Sequence, residues 1–406
     1  MSARRLRVLV VHNRYRSEQP SGENHVVDQE ISLLADAGHQ VSVFERRSDD
    51  IASMSLLDRV AVPLRVPWNP VVRAELAARL HAERPDVVHV HNTFPLLSPS
   101  VIAACTDAGV PAVATLHNYT MVCPTGTLYR DGHVCTDCTG RLPLSAVRHG
   151  CYRGSRLATI PMALSMSANR RRWWSDVARF FCISEAQRQI LVQAGMPAQR
   201  LMVKHNFVPD TGVRRAGPGE HVLYLGRITA EKGVRLLMAA WDRIAASGGL
   251  GVPLVLVGTG PLQEEVAQWA RDRDDVWYLG LRSRTECREL TARSAAVVAP
   301  STWMETFGLV VVEAMSAGVP AVTAGHGAFV ELVQDGVTGL LHRPGDAGSL
   351  AESLRYVLTR REVNRMMGEA ARRHYEQNFT PSVGLDRLVA GYEAAIAQAP
   401  NVGELR

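Results

Sequence analysis

Two carboxylates eight residues apart, Glu305 and Glu313, bracket the segment Met-Glu-Thr-Phe-Gly-Leu-Val-Val-Val-Glu (304–313). The apolar run Ala-Ala-Val-Val-Ala-Pro-Ser (295–301) before it reads as a buried strand, and Ala317-Gly318-Val319-Pro320 reads as the stop of a following helix. Glu305 then falls in the loop over the helix N-terminus, and Glu313 lies about two turns further on. With Gly308 and Leu309 at the start of that helix, free backbone N–H groups form a seat for phosphate. Carboxylates on either side of such a seat suit hydroxylated rings flanking a diphosphate, which is the outline of a nucleotide-sugar. The plainer alternative is a helix-start acid favoured by the dipole, followed by a solvated surface charge.

A second cluster, Tyr224-Leu225-Gly226-Arg227-Ile228-Thr229-Ala230-Glu231-Lys232-Gly233, ends an apolar strand and enters another helix. It brings two cations, Arg227 and Lys232, to the top of a sheet of the same kind, where they would neutralise a departing diphosphate. Of the 45 basic residues only two, Lys204 and Lys232, are lysines. A lysine in so arginine-biased a chain marks a place where a compact point charge is wanted.

Taken together, these segments resemble the retaining glycosyltransferases of family 4, which have the GT-B fold. The resemblance rests on Gly226-Arg227 with Glu231-Lys232-Gly233 and on the Glu-x7-Glu spacing. It rests also on Pro20-Ser21-Gly22-Glu23-Asn24 after the first strand, Leu116-His117-Asn118 after a later one, and Lys204-His205-Asn206-Phe207-Val208 near the domain junction. It spans nearly the whole chain in the expected order. It implies that Arg227, Lys232 and the N–H groups near Gly308 and Leu309 hold the donor diphosphate, with Phe307 in the same seat. Glu305 would hold sugar hydroxyls and Glu313 ribose hydroxyls. Gly22 would allow a close approach of backbone to the donor phosphate or the acceptor. His117 would touch the donor sugar, with His91 and Asn118 on the acceptor side. Many relatives carry Asp where this chain has Asn118, which puts in doubt a carboxylate base there. The family retains anomeric configuration by same-face attack in which the leaving phosphate takes the acceptor proton. The donor would be a UDP-, GDP- or dTDP-sugar and the acceptor a hydroxyl compound, in cell-surface polysaccharide or secondary-metabolite glycoside synthesis, with no cofactor required for catalysis. Two further classes stay open: a nucleotide-sugar 2-epimerase on the same two-lobed fold, and a non-catalytic nucleotide-sugar binding protein.

The elements that must position these residues alternate strand and helix throughout, which predicts an α/β chain of two Rossmann-like, doubly wound parallel sheets facing a central cleft. In the first half the strands are expected at Arg7–His12, Gln40–Glu45, Asp86–His91, Ala112–Leu116, Arg179–Ile183 and Leu201–Lys204. A helix is expected over Asn24–Ala37, whose Val26, Val27, Ile31 and Leu34 keep helical spacing. The second half repeats the scheme at His221–Gly226, Pro253–Gly258, Val276–Leu279, Ala295–Ala299, Pro320–Thr323 and Gly339–Leu341. The expected domains are 1–206 on the acceptor side, with a Cys-rich insertion over 119–178, then 207–380 for the nucleotide-sugar. A last helix over 381–406 would cross back to the first domain, as the resemblance implies. Residues 209–220, rich in Gly, Pro and Arg, read as a linker.

The 406 residues, 46% hydrophobic and 21% charged, suit two soluble domains. A net charge of +5 with acids interspersed gives no case for a nucleic-acid binder. The short apolar strand after the start is too short for a signal-peptide core and no run could span a bilayer, so a cytoplasmic location is expected. Four of the seven cysteines, Cys123, Cys135, Cys138 and Cys151, follow the spacing C-x11-C-x2-C-x12-C. That spacing is compatible with a structural zinc site, or with reduced thiols packing an irregular loop. Asn169-Arg170-Arg171-Arg172-Trp173-Trp174 suits peripheral contact with the inner face of an anionic membrane and a lipid-linked acceptor, or a partly buried helix with a solvated basic face. His89-Val90-His91 sets two imidazoles on one strand face, to line an acceptor pocket or to satisfy buried hydrogen bonds. Asp272-Arg273-Asp274 reads as a solvated loop, and Gly258-Thr259-Gly260 lacks the third glycine of a dinucleotide fingerprint.

Overall fold

A computed structural model describes residues 4–17 and 21–398. The opening Met-Ser-Ala, Pro20 of the first Gly-rich segment and residues 399–406 of the last expected helix lie outside the described residues. The described residues form two compact units: those within 1–128, 136–205 and 384–406 make the first, and 129–135 with 206–383 the second.

The first unit holds a six-stranded sheet in the order Gln40–Arg47, Arg7–Arg14, Val87–Val90, Ala112–Leu116, Val177–Cys182, Leu201–Val203. Every pairing in it is parallel. Val87–Val90 and Ala112–Leu116 are buried at every position, so their sequences are continuous apolar runs rather than alternating ones. The chain order reverses between Arg7–Arg14 and Val87–Val90, which leaves a crevice beyond their carboxyl ends. The helix Gly22–Asp36 begins there, capped by Ser21, whose hydroxyl accepts from the Asn24 N–H.

The second unit repeats the plan in the order Val276–Gly280, Leu254–Val257, His221–Leu225, Ser294–Ala299, Ala321–Ala324, Gly339–His342. All its pairings are parallel too. Its reversal falls between His221–Leu225 and Ser294–Ala299, the two strands that lead into the Arg227–Lys232 and Glu305 segments. Trp241, Leu237, Leu256 and Leu354 pack on one face of the sheet, and Val255, Val297 and Ala314 on the other.

The twelve strands of the two sheets lie where the apolar runs place them, with ends shifted by one or two residues, and the expected helix begins two residues early, at Gly22. A short antiparallel hairpin of Tyr129–Arg130 and His133–Val134 was not anticipated. The helix Pro381–Gln398 carries Leu388, Tyr392 and Ala395 into the core of the first unit, beside Leu6, Val8 and Phe181. Its Gly391 lies so close to that sheet that a Cβ would stand 2.2 Å from the Phe181 ring.

Candidate active site

In the second unit two loops are laced together beyond the reversal point. The Thr302 N–H donates to the Glu231 carbonyl at 2.9 Å, and a Cβ at Gly233 would meet the Pro300 carbonyl oxygen at 1.9 Å. Gly233 also has φ +73°, so no other residue lets the two loops close this far. The Tyr224 hydroxyl donates to the Arg227 carbonyl at 2.7 Å, and the Ile228 N–H donates to the Thr259 carbonyl at 2.9 Å. The Gly258-Thr259-Gly260 turn therefore backs the Gly226–Ile228 loop.

This lacing brings Lys232 and Glu305 together although they are 73 positions apart: Lys232 Nζ donates to Glu305 Oε1 at 2.6 Å. Ser301 Oγ donates to the same oxygen at 2.7 Å, and the ammonium lies 5.2 Å from the centre of the Trp303 ring. Glu305 is only 5% exposed. Burial alone would push its carboxyl upward, but the Lys232 charge and the hydrogen bonds from Lys232 and Ser301 outweigh it and hold the group below the ordinary range. Glu305 is thus a buried anion with one oxygen heavily used. Arg227, more exposed, pairs with Glu231 at 3.1 Å on the same loop.

The helix Leu309–Ala317 starts at Gly308, whose φ of +113° opens the first turn and whose Cβ, if present, would strike the Phe329 ring at 2.6 Å. The first N–H groups of this helix have no acceptor within it and can receive an anion. Glu313 is half-buried about one turn along; burial raises its carboxyl, with Arg284 and Arg288 opposing. Phe307, expected in the donor seat, is buried, with its ring centre 6.1 Å from that of Phe379. The structure therefore joins Lys232 and Glu305 directly. It sets Arg227 on the loop that carries Lys232, and Glu313 on the helix that follows the Glu305 loop, without contact to the pair.

In the first unit an open cavity lies beyond the strand ends, lined among others by Glu23, His91, His117, Asn118, Met166 and Arg170. His91 Nδ1 and His117 Nε2 share a hydrogen bond at 3.0 Å, with the rings stacked 5.3 Å apart. Burial holds both imidazoles well below their usual range, reinforced by the charges of Lys204 and neighbouring histidines. Both are therefore neutral at pH 7. Asn118 turns its side-chain carbonyl back to accept from the Thr120 N–H at 3.0 Å. Gly22 is exposed in the first turn of its helix. Glu23, beside it, lines the cavity and accepts from the Tyr15 hydroxyl at 3.2 Å; burial raises its carboxyl to about 8. Glu23 was present in the Gly-rich segment, but nothing in the sequence showed that it turns inward.

The two histidines of His89-Val90-His91 divide the readings between them. His91 borders the cavity, whereas His89 is fully buried, bonded to the Tyr392 hydroxyl and to Thr115 Oγ1 at 2.8 Å each. Beneath them Lys204 and Glu30 form a buried ion pair. Among the described residues, Glu30, His89 and His91 are the group with three metal-ligand atoms within 4.8 Å of one another. The Lys204 ammonium already supplies the cation there, and both nitrogens of His89 are engaged, so the group does not fit a metal. Among the described residues the four cysteines do not form such a group. A tetrahedral zinc would need its sulfurs about 3.8 Å apart. Cys135 follows the hairpin and belongs to the second unit, while Cys123, Cys138 and Cys151 belong to the first.

Trp173 is buried, Arg170 lies over the Trp174 ring at 4.2 Å and Arg172 over Trp68 at 4.8 Å. This part of the helix is partly buried. Among the described residues no helix is long and apolar enough to cross a membrane.

Comparison with known proteins agrees with this geometry. A family profile described as "Glycosyl transferases group 1" matches residues 213–374, and one described as "Glycosyltransferase Family 4" matches residues 20–211. A glycogen synthase of Mycobacterium tuberculosis is 28% identical over 92% of this chain and 91% of its own length. A phosphatidyl-myo-inositol mannosyltransferase of Mycobacterium leprae is 27% identical over 96% and 97%. Among solved structures, sucrose-phosphate synthase of Thermosynechococcus elongatus superposes with a TM-score of 0.71 at 17% identity, covering 97% of this chain and all of that one. Anabaena HepE in complex with UDP and glucose superposes with a TM-score of 0.67 at 19% identity, covering 96% and all of its chain.

Proposed function

The chain belongs to the glycosyltransferases of family 4, with the GT-B fold, and from that premise we propose that it moves a sugar from a nucleotide-diphosphate donor to a hydroxyl acceptor with retention of anomeric configuration. The observation that carries this reading is the Lys232–Glu305 pair at the reversal point of the second sheet, beside a helix N-terminus opened by Gly308. A diphosphate seated on the N–H groups of Leu309 and its neighbour would have Lys232 and Arg227 as countercharges. As the anomeric carbon–oxygen bond breaks, negative charge grows on the departing phosphate, and fixed cations stabilise that charge more than the ground state. The new bond forms from the acceptor oxygen to the anomeric carbon, and the acceptor proton passes to the leaving phosphate. Glu305, held ionised, orients a sugar hydroxyl through its second oxygen, and Glu313 receives the ribose hydroxyls.

On the acceptor side, neutral His117 and His91 supply hydrogen-bonding nitrogens rather than charge. Asn118, folded back on its own turn, is no proton acceptor, which suits a scheme without an enzyme base. The reading requires no cofactor. UDP-sugars are the first donors to try, since HepE was solved with UDP bound. The test is a panel of nucleotide-sugars scored by thermal shift, because bound ligand raises stability by mass action, followed by NMR of the stabilising donor with candidate acceptors. Glycoside formation with the anomeric configuration kept supports the proposal. Inverted product, a changed sugar without acceptor, or binding without any turnover overturns it.

A further inference from the structure

Beside the acceptor cavity, the first unit presents an apolar surface with nothing packed on it. The helix Leu56–Arg65 has no buried residue, yet Leu56, Val60 and Leu64 recur every four positions and leave one face greasy, with Leu57 85% exposed. It touches the helix Arg156–Asp176, to which the following residues are tied: Ser165 Oγ donates to the Val66 carbonyl and Asn169 Nδ2 to the Pro67 carbonyl at 2.9 Å. That second helix has two distinct faces. Met162, Met166 and Arg170 turn toward the cavity, while Leu157, Ile160 and Leu164 form an outward stripe in which Leu157 is 80% exposed. Leu142 and Leu144, just before it, are exposed as well.

The charge of this region is one-sided. From Cys138 to Ser175 the chain has seven arginines and no Asp or Glu. At the overall frequency of 40 acids in 406 residues, three or four would be expected there. Arg148, Arg153 and Arg156 are exposed and, among the described residues, make no ion pair. Exposed leucines beside unpaired arginines are the pattern of a surface that enters the headgroup layer of an anionic bilayer: the apolar side chains reach the acyl boundary and the guanidinium groups bind lipid phosphates. An acidic protein partner would meet the arginines but leave the leucine stripe unsatisfied.

We propose that the outward faces of Leu56–Arg65 and Arg156–Asp176, with Arg148, Arg153 and Arg156, dock this protein on an anionic lipid surface. Because one helix carries both the docking stripe and the cavity wall, an acceptor whose apolar part stays in the bilayer reaches the cavity without leaving the membrane. This last consequence rests on the proposed transferase reading; the docking itself does not.

The test is co-sedimentation of the full chain with vesicles of phosphatidylcholine and phosphatidylglycerol (1:1), and of phosphatidylcholine alone. Binding is expected on the mixed vesicles at low salt and not on the neutral ones. It should fall roughly 100-fold in R148A/R153A/R156A, from the summed loss of three lipid-facing cations, and at least 10-fold in L157E/I160E. Melting temperatures should not change, since all these side chains are exposed. No binding to the mixed vesicles, or binding that survives both sets of substitutions, overturns the proposal. So does concentration-dependent self-association without lipid that L157E/I160E abolishes, which would make this face an interface between copies of the chain. A membrane-binding protein that transfers no sugar would refute only the transferase reading.

Discussion

Replacing Lys232 by alanine separates stability from chemistry in a way that the Lys232–Glu305 geometry makes quantitative. Glu305 is 5% exposed and the Lys232 side chain 23%, so the pair is mostly but not wholly withdrawn from water. Deleting one partner of a fully buried pair costs about 3–5 kcal/mol, because the other charge is left uncompensated. With Lys232 partly solvated, about 2–3 kcal/mol is expected, a fall of roughly 4–12 °C in the melting transition of the second unit. With the lysine gone, burial becomes the dominant influence on Glu305 and its carboxyl should rise above the ordinary value. Adding E305Q to K232A removes the stranded charge, so the double variant should regain most of the lost stability. Activity should behave differently. Loss of one charge-stabilising group costs about 100- to 1,000-fold in kcat, and the double variant should recover none of it. The assay is sugar transfer at saturating donor alongside calorimetric melting of both variants. Activity within threefold of wild type in K232A, or no recovery of stability in the double variant, would refute the reasoning.

Three further outcomes follow from the first unit and its closing helix. Lys204→Met alone should destabilise by about 3–5 kcal/mol by stranding Glu30, whereas K204M/E30L should come close to wild type in denaturant melts. Lowering the pH below about 6.5 should weaken the fold progressively toward pH 4. Burial lowers His12 to about 4 and His89, His91 and His117 well below their usual range, so the unfolded chain takes up protons first. His12 alone contributes on the order of 3 kcal/mol across that window, and H12N should flatten the stability–pH curve. Gly391→Ala should cost about 1–3 kcal/mol, because its methyl group would land 2.2 Å from the Phe181 ring; an unchanged melt would show that the last helix does not pack as described.

Much of the architecture was legible because parallel sheets covered on both faces write their strands as unbroken apolar runs. Ser294–Ala299 and Val87–Val90, buried throughout, are such runs. The hairpin at Tyr129–Val134 escaped notice because two residues per strand carry no period. The site was legible in part. Arg227, Lys232 and Glu305 stood out through their place after strands, but their contacts depend on a reversal of strand order that no local pattern encodes. Lys204 and Glu30 are 174 positions apart, and neither segment hints at the other.

The most direct test of the central claim is a crystal structure of the full chain with UDP. The account predicts the diphosphate within about 3 Å of the Leu309 N–H, with the Lys232 ammonium and the Arg227 guanidinium on its oxygens and Glu313 on the ribose. A diphosphate bound elsewhere, with Lys232 still closed on Glu305 and the first turn of Leu309–Ala317 unoccupied, would contradict it.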